Sequence, residues 1–175
     1  PNYSRPKEGL NIRWPDPPMA QELRLHEFKH DAALAFAYAN KIDREVISSK
    51  ENRKIGIVTT GKAYLDVRQA LDEIGIDERK AYEIGLSVYK VGMVWPLEPY
   101  GLKTFAKDLE EILVVEEKRS LLEDQIRNIL YELPDGNRPR VTGKKDLAGN
   151  WLLKSAGEID PQMVIKAISQ RFGNM

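Results

Sequence analysis

The sequence predicts an α/β domain with a mostly parallel sheet, and two observations carry that prediction. Short apolar runs at residues 54–59, 86–91 and 111–115 alternate with segments whose apolar residues recur at helical spacing. This alternation is typical of βαβ units, whose crossovers are right-handed and whose strands run parallel. The chain has 175 residues, of which 42% are hydrophobic, and this is enough for one sizeable core.

The N-terminal part is predicted to contain an arm followed by a helix. Residues 1–18 are expected to form an arm or linker, and residues 19–175 a single domain. Asp16 is the predicted N-cap and Pro17 the first helical residue, where a missing N–H costs nothing. The helix is expected to end near Asn40. Apolar residues at helical spacing predict one buried stripe along it, formed by Phe28, Ala32, Ala35, Phe36 and Ala39.

The first two predicted strands each lead into a predicted helix. The strand at 54–59 (KIGIVT) continues after Gly61 into a helix that ends at Gly75. The buried face expected for this helix comprises Tyr64, Val67, Leu71 and Ile74. The strand at 86–91 precedes a short helix. Its apolar residues are Leu102, Phe105, Ala106 and Leu109.

The C-terminal part continues the same alternation. After the strand at 111–115 (EILVV), Ser120 and Glu123 predict a capping box for a helix that Pro134 ends. Its apolar face is expected to comprise Leu122, Ile126, Ile129, Leu130 and Leu133. Residues 140–142 are a candidate fourth strand. Asp160 and the proline after it start a last helix that closes near Gly173.

Charge and composition exclude several classes of function. Lys and Arg number 27, as do Asp and Glu, so the chain lacks the basic surplus of a duplex-DNA binder or a polybasic membrane anchor. With no cysteine, it has no disulfide, thiolate nucleophile or cysteine-ligated cluster. No apolar run approaches the roughly 20 residues of a membrane span, so a cytoplasmic location is the default expectation. Because the chain begins with Pro1, we interpret it as a piece of a longer protein.

One short motif suggests a third possible function, a zinc peptidase. His26, Glu27 and His30 match HExxH on a predicted helix, a spacing that places two imidazoles around a metal with Glu as general base. These are the only two histidines, so a third ligand would have to be a carboxylate such as Glu45 or Glu51. Both histidines fall opposite the predicted buried stripe, where water is expected. The alternative, which we favour, is a pair of exposed histidines with no metal.

A second motif, at residues 56–63 (GIVTTGKA), nearly matches a phosphate-binding loop between a strand and a helix. Ala63 replaces the hydroxyl that would hold magnesium, so nucleotide hydrolysis is not predicted. Thr60, Gly61 and Lys62 at a helix N-terminus remain candidates for binding an anion or carboxylate. The simpler interpretation is a tight turn that requires Gly61.

The strand ends define a candidate interface. Parallel strands would bring three polar loops to one edge of the sheet, where open α/β sheets meet ligands and partners. The residues expected there are Thr59, Thr60, Trp95, Pro96, Glu98, Glu116, Glu117, Lys118 and Arg119. Trp95 among prolines is suited to filling a partner's pocket. The alternative is that Trp95 folds back on its own helix and the charged residues form a solvated cluster.

Four separated motifs, in order along the chain, closely resemble the bacterial single-chain indolepyruvate ferredoxin oxidoreductases of the 2-oxoacid:ferredoxin oxidoreductase family. They are residues 59–71 (TTGKAYLDVRQAL), 91–99 (VGMVWPLEP), 112–119 (ILVVEEKR) and 155–161 (SAGEIDP). The leading residues 9–18 (GLNIRWPDPP) are similar to the same proteins. The resemblance implies the transketolase C-terminal-like segment of such an enzyme: three layers, with a mostly parallel sheet of about five strands and one antiparallel edge.

The resemblance also implies the context of the domain. The family enzyme oxidatively decarboxylates indolepyruvate with coenzyme A, and it uses thiamine diphosphate, Mg²⁺ and iron–sulfur clusters to pass electrons to ferredoxin. The diphosphate and cluster motifs are absent here, so no catalytic residue is assigned and the isolated domain is predicted inactive. Its expected partners are the thiamine-binding domains of the parent chain, and ferredoxin is the partner of the parent enzyme. A regulatory anion or coenzyme A fragment at Thr60, Gly61 and Lys62 is the alternative function.

Overall fold

A five-stranded mixed sheet forms the centre of the structure, a computed structural model that describes residues 3–11, 14–50 and 52–173. The strand order is β1-β3-β2-β4-β5, in which β1 is antiparallel to β3 and the other neighbours are parallel. Their bounds are Arg44–Ile47 (β1), Ile55–Thr60 (β2), Leu86–Val91 (β3), Glu111–Val115 (β4) and Arg140–Thr142 (β5). The predicted mostly parallel sheet with one antiparallel edge is therefore confirmed.

Helices cover both faces of this sheet. In chain order the helices of the structure are α1 (Pro18–Arg24), α2 (His30–Ala39), α3 (Gly61–Glu73), α4 (Glu78–Ile84), α5 (Pro99–Ala106), α6 (Leu122–Tyr131) and α7 (Pro161–Phe172). Helices α3, α4 and α7 pack on one face, and α5 and α6 on the other. Successive side chains of β2 point to opposite faces of the sheet. Ile57 therefore packs in the core under α3, α4 and α7, and Val58 in the core under α5 and α6. The three-layer α/β/α architecture is confirmed.

The strands at 86–91, 111–115 and 140–142 have the predicted bounds, and the strand predicted at 54–59 is β2, shifted by one residue. Two elements, β1 and α4, were not predicted. Strand β1 (REVI) is short and half charged, and α4 (ERKAYEI) buries only Ala81. Neither element carries a clear apolar period, so its neighbours rather than its own pattern fix its place. None of the described helices is long and apolar enough to span a membrane.

The N-terminal helix differs from the prediction in both its cap and its buried face. Pro17 is the N-cap and Pro18 the first helical residue, while Asp16 pairs with Arg24 at 2.9 Å. The predicted stripe is wrong at its end: Phe28, Ala32 and Ala35 are half-buried, but Phe36 is 60% exposed, Ala39 is exposed and Ala37 is buried instead. A π-helical turn at Leu25–Lys29 lies between α1 and α2. Its extra residue per turn shifts the phase that a regular helix would keep, so the inward face changes.

Candidate functional site

The carboxyl ends of the parallel strands meet at one edge of the sheet, as predicted. Thr60 of β2 is paired with Val91 of β3, and Thr59 with Val115 of β4. The loops that follow enclose a small open cavity of about 300 Å³, whose walls include Gly61, Lys62 and Glu117. This edge therefore brings the predicted anion-site residues, Thr60 to Lys62, close to the charged turn after β4.

The phosphate-loop-like segment forms the start of α3. Gly61 has φ +54, a left-handed conformation that glycine adopts without strain. Thr60 is the N-cap, but its hydroxyl donates to the carbonyl of Val91 at 2.8 Å and does not cap the helix. Ala63 is buried. The tight-turn interpretation thus describes the backbone, and the first-turn N–H groups of α3 carry no side-chain cap.

Two nearby carboxylates already balance the positive charge of Lys62. Its Nζ lies 2.9 Å from Oδ2 and 3.2 Å from Oδ1 of Asp66, and 3.7 Å from Oε1 of Glu117. The hydrogen bond to Asp66 raises the pKa of Lys62 above its ordinary value. Nζ also donates to the carbonyl of Ile159 at 3.0 Å. An anion at Thr60, Gly61 and Lys62 would have to compete with these carboxylates, and the anion site stays a prediction.

Two glutamates of the predicted interface are buried and cap helices. Oε1 of Glu98 accepts from the N–H of Tyr100, and Oε2 from that of Gly101, each at 2.7 Å at the start of α5. The carboxylate of Glu116 accepts from the N–H groups at the start of α6: Leu121, Leu122 and Glu123. Negative charge at a helix N-terminus is stabilising there because it complements the helix dipole.

The predicted capping box of α6 is consequently wrong. The N-cap position is Leu121 and has no side-chain cap, because the carboxylate of Glu116 holds the first turn from outside the helix. Glu123 instead accepts from the N–H of Lys144 at 3.0 Å and from Arg127 at 2.7 Å. Local spacing suggested the box, but a residue from the preceding strand end supplies the acceptor.

The Trp95 side chain contacts His30 and is otherwise largely exposed to solvent. Its ring lies edge-on to that of His30, with centroids 5.0 Å apart, and His30 lies edge-on to His26 at 5.2 Å. Even so, 60% of Trp95 is exposed. The expectation that both histidines face water is wrong for His30, which is half-buried against this tryptophan.

No cluster of three His, Cys, Asp or Glu side chains suited to a metal ion is found within residues 3–11, 14–50 and 52–173. Glu45, one of the two suggested third ligands for His26, Glu27 and His30, is paired with Arg53 at 2.7 Å. Glu51, the other, lies outside the described residues. Among the described residues, the structure therefore supplies no third ligand for a zinc ion at His26 and His30.

The remaining interface residues divide by exposure. Thr59, Glu98 and Glu116 are buried within the chain, so they are not available for contact as predicted. Trp95, Lys118 and Arg119 are exposed, whereas Thr60, Pro96 and Glu117 are half-buried. The available surface therefore centres on the Trp95 loop and the turn after β4.

Hydrogen bonds at the carboxyl edge of the sheet join the four family motifs that are separated in the sequence. Lys118, with φ +57, donates to the carbonyl of Gly157 at 3.0 Å, and Lys62 reaches Ile159 of the same loop. Thr60 bonds Val91, where the second motif begins. Segments 59–71, 91–99, 112–119 and 155–161 thus hold one another at the carboxyl edge.

Sequence reasoning missed Lys144, which follows β5 and is 5% exposed. Its Nζ donates to the carbonyl of Glu116 and, at 3.4 Å, to that of Lys154. Burial lowers the pKa of Lys144, and the nearby carboxylates of Glu116 and Glu123 oppose this shift. The signal was its position directly after a predicted parallel strand, which places it at the same edge.

These features define a class of protein: a three-layer α/β domain in which Glu98, Glu116 and Lys144 hold loops and helix ends at the carboxyl edge of the sheet, with Trp95 exposed beside them. A family model described as the indolepyruvate oxidoreductase domain matches residues 45–175. The chain therefore belongs to the indolepyruvate oxidoreductase domain family.

Curated relatives agree with this assignment. The indolepyruvate oxidoreductase subunit IorA of Pyrococcus horikoshii is 37% identical over 128 residues, and that of Thermococcus kodakarensis 30% identical over 128 residues. Each alignment covers 73% of this chain and 17% of the relative, so the chain corresponds to a small part of those subunits.

A solved structure shares the fold. The 2-oxoglutarate:ferredoxin oxidoreductase of Magnetococcus marinus, described with 2-oxoglutarate, coenzyme A and succinyl-CoA bound, superposes with a TM-score of 0.50 and 13% identity. The match covers 89% of this chain and 24% of that one.

Proposed function

We propose that this chain is a non-catalytic packing and positioning domain of a thiamine diphosphate-dependent indolepyruvate:ferredoxin oxidoreductase. In this proposal the parent enzyme oxidatively decarboxylates indolepyruvate with coenzyme A and passes electrons to ferredoxin. Thiamine diphosphate, Mg²⁺ and iron–sulfur clusters belong to other parts of the parent, whose expected location is the cytoplasm. The thiamine-binding domains of the same parent chain are the partners of this domain.

One observation carries the proposal: Glu98, Glu116 and Lys144, three buried ionisable groups at the carboxyl edge, hold this domain's own backbone. Glu98 and Glu116 cap α5 and α6, and Lys144 donates to loop carbonyls. A general acid, base or nucleophile needs an open cavity and a group free to meet substrate. Exposed Trp95 beside these fixed loops is instead suited to contact with a neighbouring domain, because rigid aromatic anchors dominate protein interfaces.

The proposal predicts different effects for two tryptophans. Trp95 and Trp151 are each 60% exposed, so Trp151→Ala is a matched control for Trp95→Ala. In the full-length parent enzyme, Trp95→Ala is expected to weaken packing between domains by about 2 kcal/mol, as truncation of an aromatic anchor does. The loss is read from limited proteolysis at the domain boundaries and from indolepyruvate-dependent ferredoxin reduction. Trp151→Ala should leave both unchanged.

The isolated chain supplies a second test. With thiamine diphosphate, Mg²⁺, coenzyme A, indolepyruvate and ferredoxin added, the 175 residues alone are expected to show no turnover. Ferredoxin reduction by the isolated chain would exclude the non-catalytic assignment. Equal proteolysis of the Trp95→Ala and Trp151→Ala enzymes would exclude the contact role of the Trp95 loop.

A further inference from the structure

A second cavity, of about 470 Å³, lies between the end of α2, the edge strand β1, the adjacent strand β3 and helix α5. Its walls include Tyr38, Asp43, Tyr89, Glu98, Gly101 and Phe105. Glu45, opposite Tyr89 in the β1–β3 ladder, also lines it. This acidic and aromatic cavity is distinct from the smaller one beside Lys62.

Tyr89 brings a hydroxyl without a hydrogen-bond partner to this cavity. The residue is 4% exposed, and its ring packs on that of Phe105 with centroids 4.9 Å apart. Its hydroxyl has no hydrogen bond among the described residues. Burial raises the pKa of Tyr89, and the charges of Asp43 and Glu98 add to the effect, so the phenol stays protonated. Because no described residue bonds this hydroxyl at the cavity wall, it is open to water or to a ligand.

Gly101 leaves an opening beside that hydroxyl. A Cβ at position 101 would lie 2.5 Å from the Tyr89 hydroxyl oxygen and 2.9 Å from Oε2 of Glu98. Both oxygens therefore converge on a point that any larger side chain would fill.

Asp43 supplies a second oxygen without a partner. Its Oδ1 accepts from the N–H groups of Gly92 at 2.7 Å and Met93 at 3.0 Å, whereas its Oδ2 is buried and has no hydrogen-bond partner among the described residues. Burial raises the pKa of Asp43, and the two backbone hydrogen bonds oppose the shift. A donor from a ligand would relieve the desolvation of this carboxylate.

The acceptor oxygens left open at Asp43 and Tyr89, rather than the net charge of the cavity walls, favour a cationic donor. Asp43, Glu45 and Glu98 lie in the walls of the cavity, and the C-terminal end of α2, the negative end of its dipole, reaches it at Tyr38. Two cations, Lys41 and Arg44, also line it but are exposed. Arg53 pairs with Glu45 and lies over the Phe105 ring at 5.3 Å, and both oxygens of Glu98 accept backbone N–H groups. Asp43 is therefore the carboxylate with an oxygen left for a ligand, next to the rings of Tyr38 and Tyr89. Aromatic walls next to carboxylates are the combination that recognises organic cations.

We propose that this cavity binds an organic cation, a protonated amine or a guanidinium group, with Asp43 and the hydroxyl of Tyr89 as acceptors. The inference goes beyond the packing role and does not depend on it. The cation has two conceivable sources, a free small molecule or a Lys or Arg side chain from a neighbouring domain, and both present the same chemistry.

The test uses methylguanidinium, with N-methylurea as its neutral counterpart, titrated into the ¹⁵N-labelled chain at constant ionic strength. Saturable NMR shifts are expected with methylguanidinium at the amides of Gly92, Met93, Tyr100 and Gly101. Asp43→Asn keeps an oxygen for the Gly92 and Met93 amides but replaces the free acceptor with a donor, so binding should weaken about tenfold or more. Tyr89→Phe and Gly101→Ala should also weaken binding.

Matched controls are Asp77→Asn, at the N-cap of α4, and Tyr82→Phe, an exposed tyrosine; neither residue lines the cavity. Both should bind as the unchanged chain does, and the same spectra report whether each variant folds. The proposal fails if methylguanidinium gives no saturable shift, if N-methylurea binds equally well, or if Asp43→Asn and Tyr89→Phe bind normally.

The full-length parent distinguishes the two sources. Binding of methylguanidinium to the parent as well as to the isolated chain would identify a free ligand. Binding to the isolated chain alone, with Asp43→Asn loosening domain packing in the parent, would identify a side chain of a neighbouring domain. Either result supports the cation site.

Discussion

Arg171, in the last helix, donates two hydrogen bonds to Glu111 at the start of β4. Its Nε lies 2.6 Å from Oε1, and its Nη2 lies 2.8 Å from Oε2. Glu111 is 1% exposed and also accepts from the hydroxyl of Thr142 at 3.0 Å, so one carboxylate joins α7, β4 and β5. These groups lie at the amino end of β4, opposite the loops of the candidate site.

Breaking this pair should destabilise the fold strongly. Arg171→Met leaves the carboxylate of Glu111 buried with Thr142 and a distant Arg140, 3.7 Å away, so the expected loss is about 3 kcal/mol. Urea unfolding measures it. Arg79→Met, which removes an exposed i,i+4 pair with Glu83, is the control and should cost less than about 0.5 kcal/mol. Similar losses in both variants would contradict the role of the buried pair.

Glu116 should matter more to α6 than the predicted capping residue. Glu116→Ala removes a buried carboxylate that accepts from three backbone N–H groups, and the expected cost is about 2 to 3 kcal/mol. Ser120→Ala should change the free energy of unfolding by less than about 0.5 kcal/mol. Chemical denaturation of both variants compares the two caps. A larger loss of unfolding free energy in Ser120→Ala than in Glu116→Ala would support the capping box instead.

Alanine substitutions at two glycines distinguish backbone strain from steric collision. Gly85 and Gly75 have φ +79 and +72, so an alanine at either position pays the same left-handed penalty of about 1 kcal/mol. At Gly85 the new Cβ would also lie 2.6 Å from the carbonyl oxygen of Asn52, whereas nothing lies within 4 Å at Gly75. Gly85→Ala should therefore lower the melting temperature clearly more than Gly75→Ala. Equal decreases in melting temperature for the two variants would mean that the loop at Asn52 moves away from the new Cβ at no cost in stability.

Lys144 should make stability depend on pH at the alkaline side. Its pKa in the folded chain lies below the ordinary 10.5, so between those two values the unfolded chain holds a proton that the folded chain has released. Stability attributable to Lys144 therefore rises as pH increases through that window. The difference in unfolding free energy between the unchanged chain and Lys144→Met, measured in urea from about pH 7 to 10, should shift in favour of the unchanged chain.

Lys145→Met is the control for this prediction, since Lys145 is exposed and its ammonium lies over the Trp151 ring at 4.8 Å. Its difference from the unchanged chain should not shift in favour of the unchanged chain as the pH rises over the same range. A constant difference for Lys144→Met as well would show that its ammonium is not desolvated.

Periodicity in the sequence was sufficient for the elements that carry their own signal. Strands 86–91 and 111–115 are continuous apolar runs, and they occupy the predicted bounds because they are buried on both faces of the sheet. The Asp160 cap of α7 was likewise local, since its side chain accepts from the N–H of Met163 three residues on. The prediction that the strand ends share one edge followed from parallel order alone.

Contacts between distant residues decided the rest. Whether Phe36 or Ala37 faces inward depends on a π turn and on packing against α5, which helical spacing does not encode. Glu116 caps α6 from the end of another element, and Tyr89, Asp43 and Glu98 meet only because β1 pairs with β3 beneath α5. Fold class, family resemblance and the sheet edge that carries the motifs could thus be predicted from residue patterns alone. Which polar groups bond within the domain and which stay without a partner depends on the folded chain, because burial and hydrogen-bond satisfaction arise only when distant residues meet.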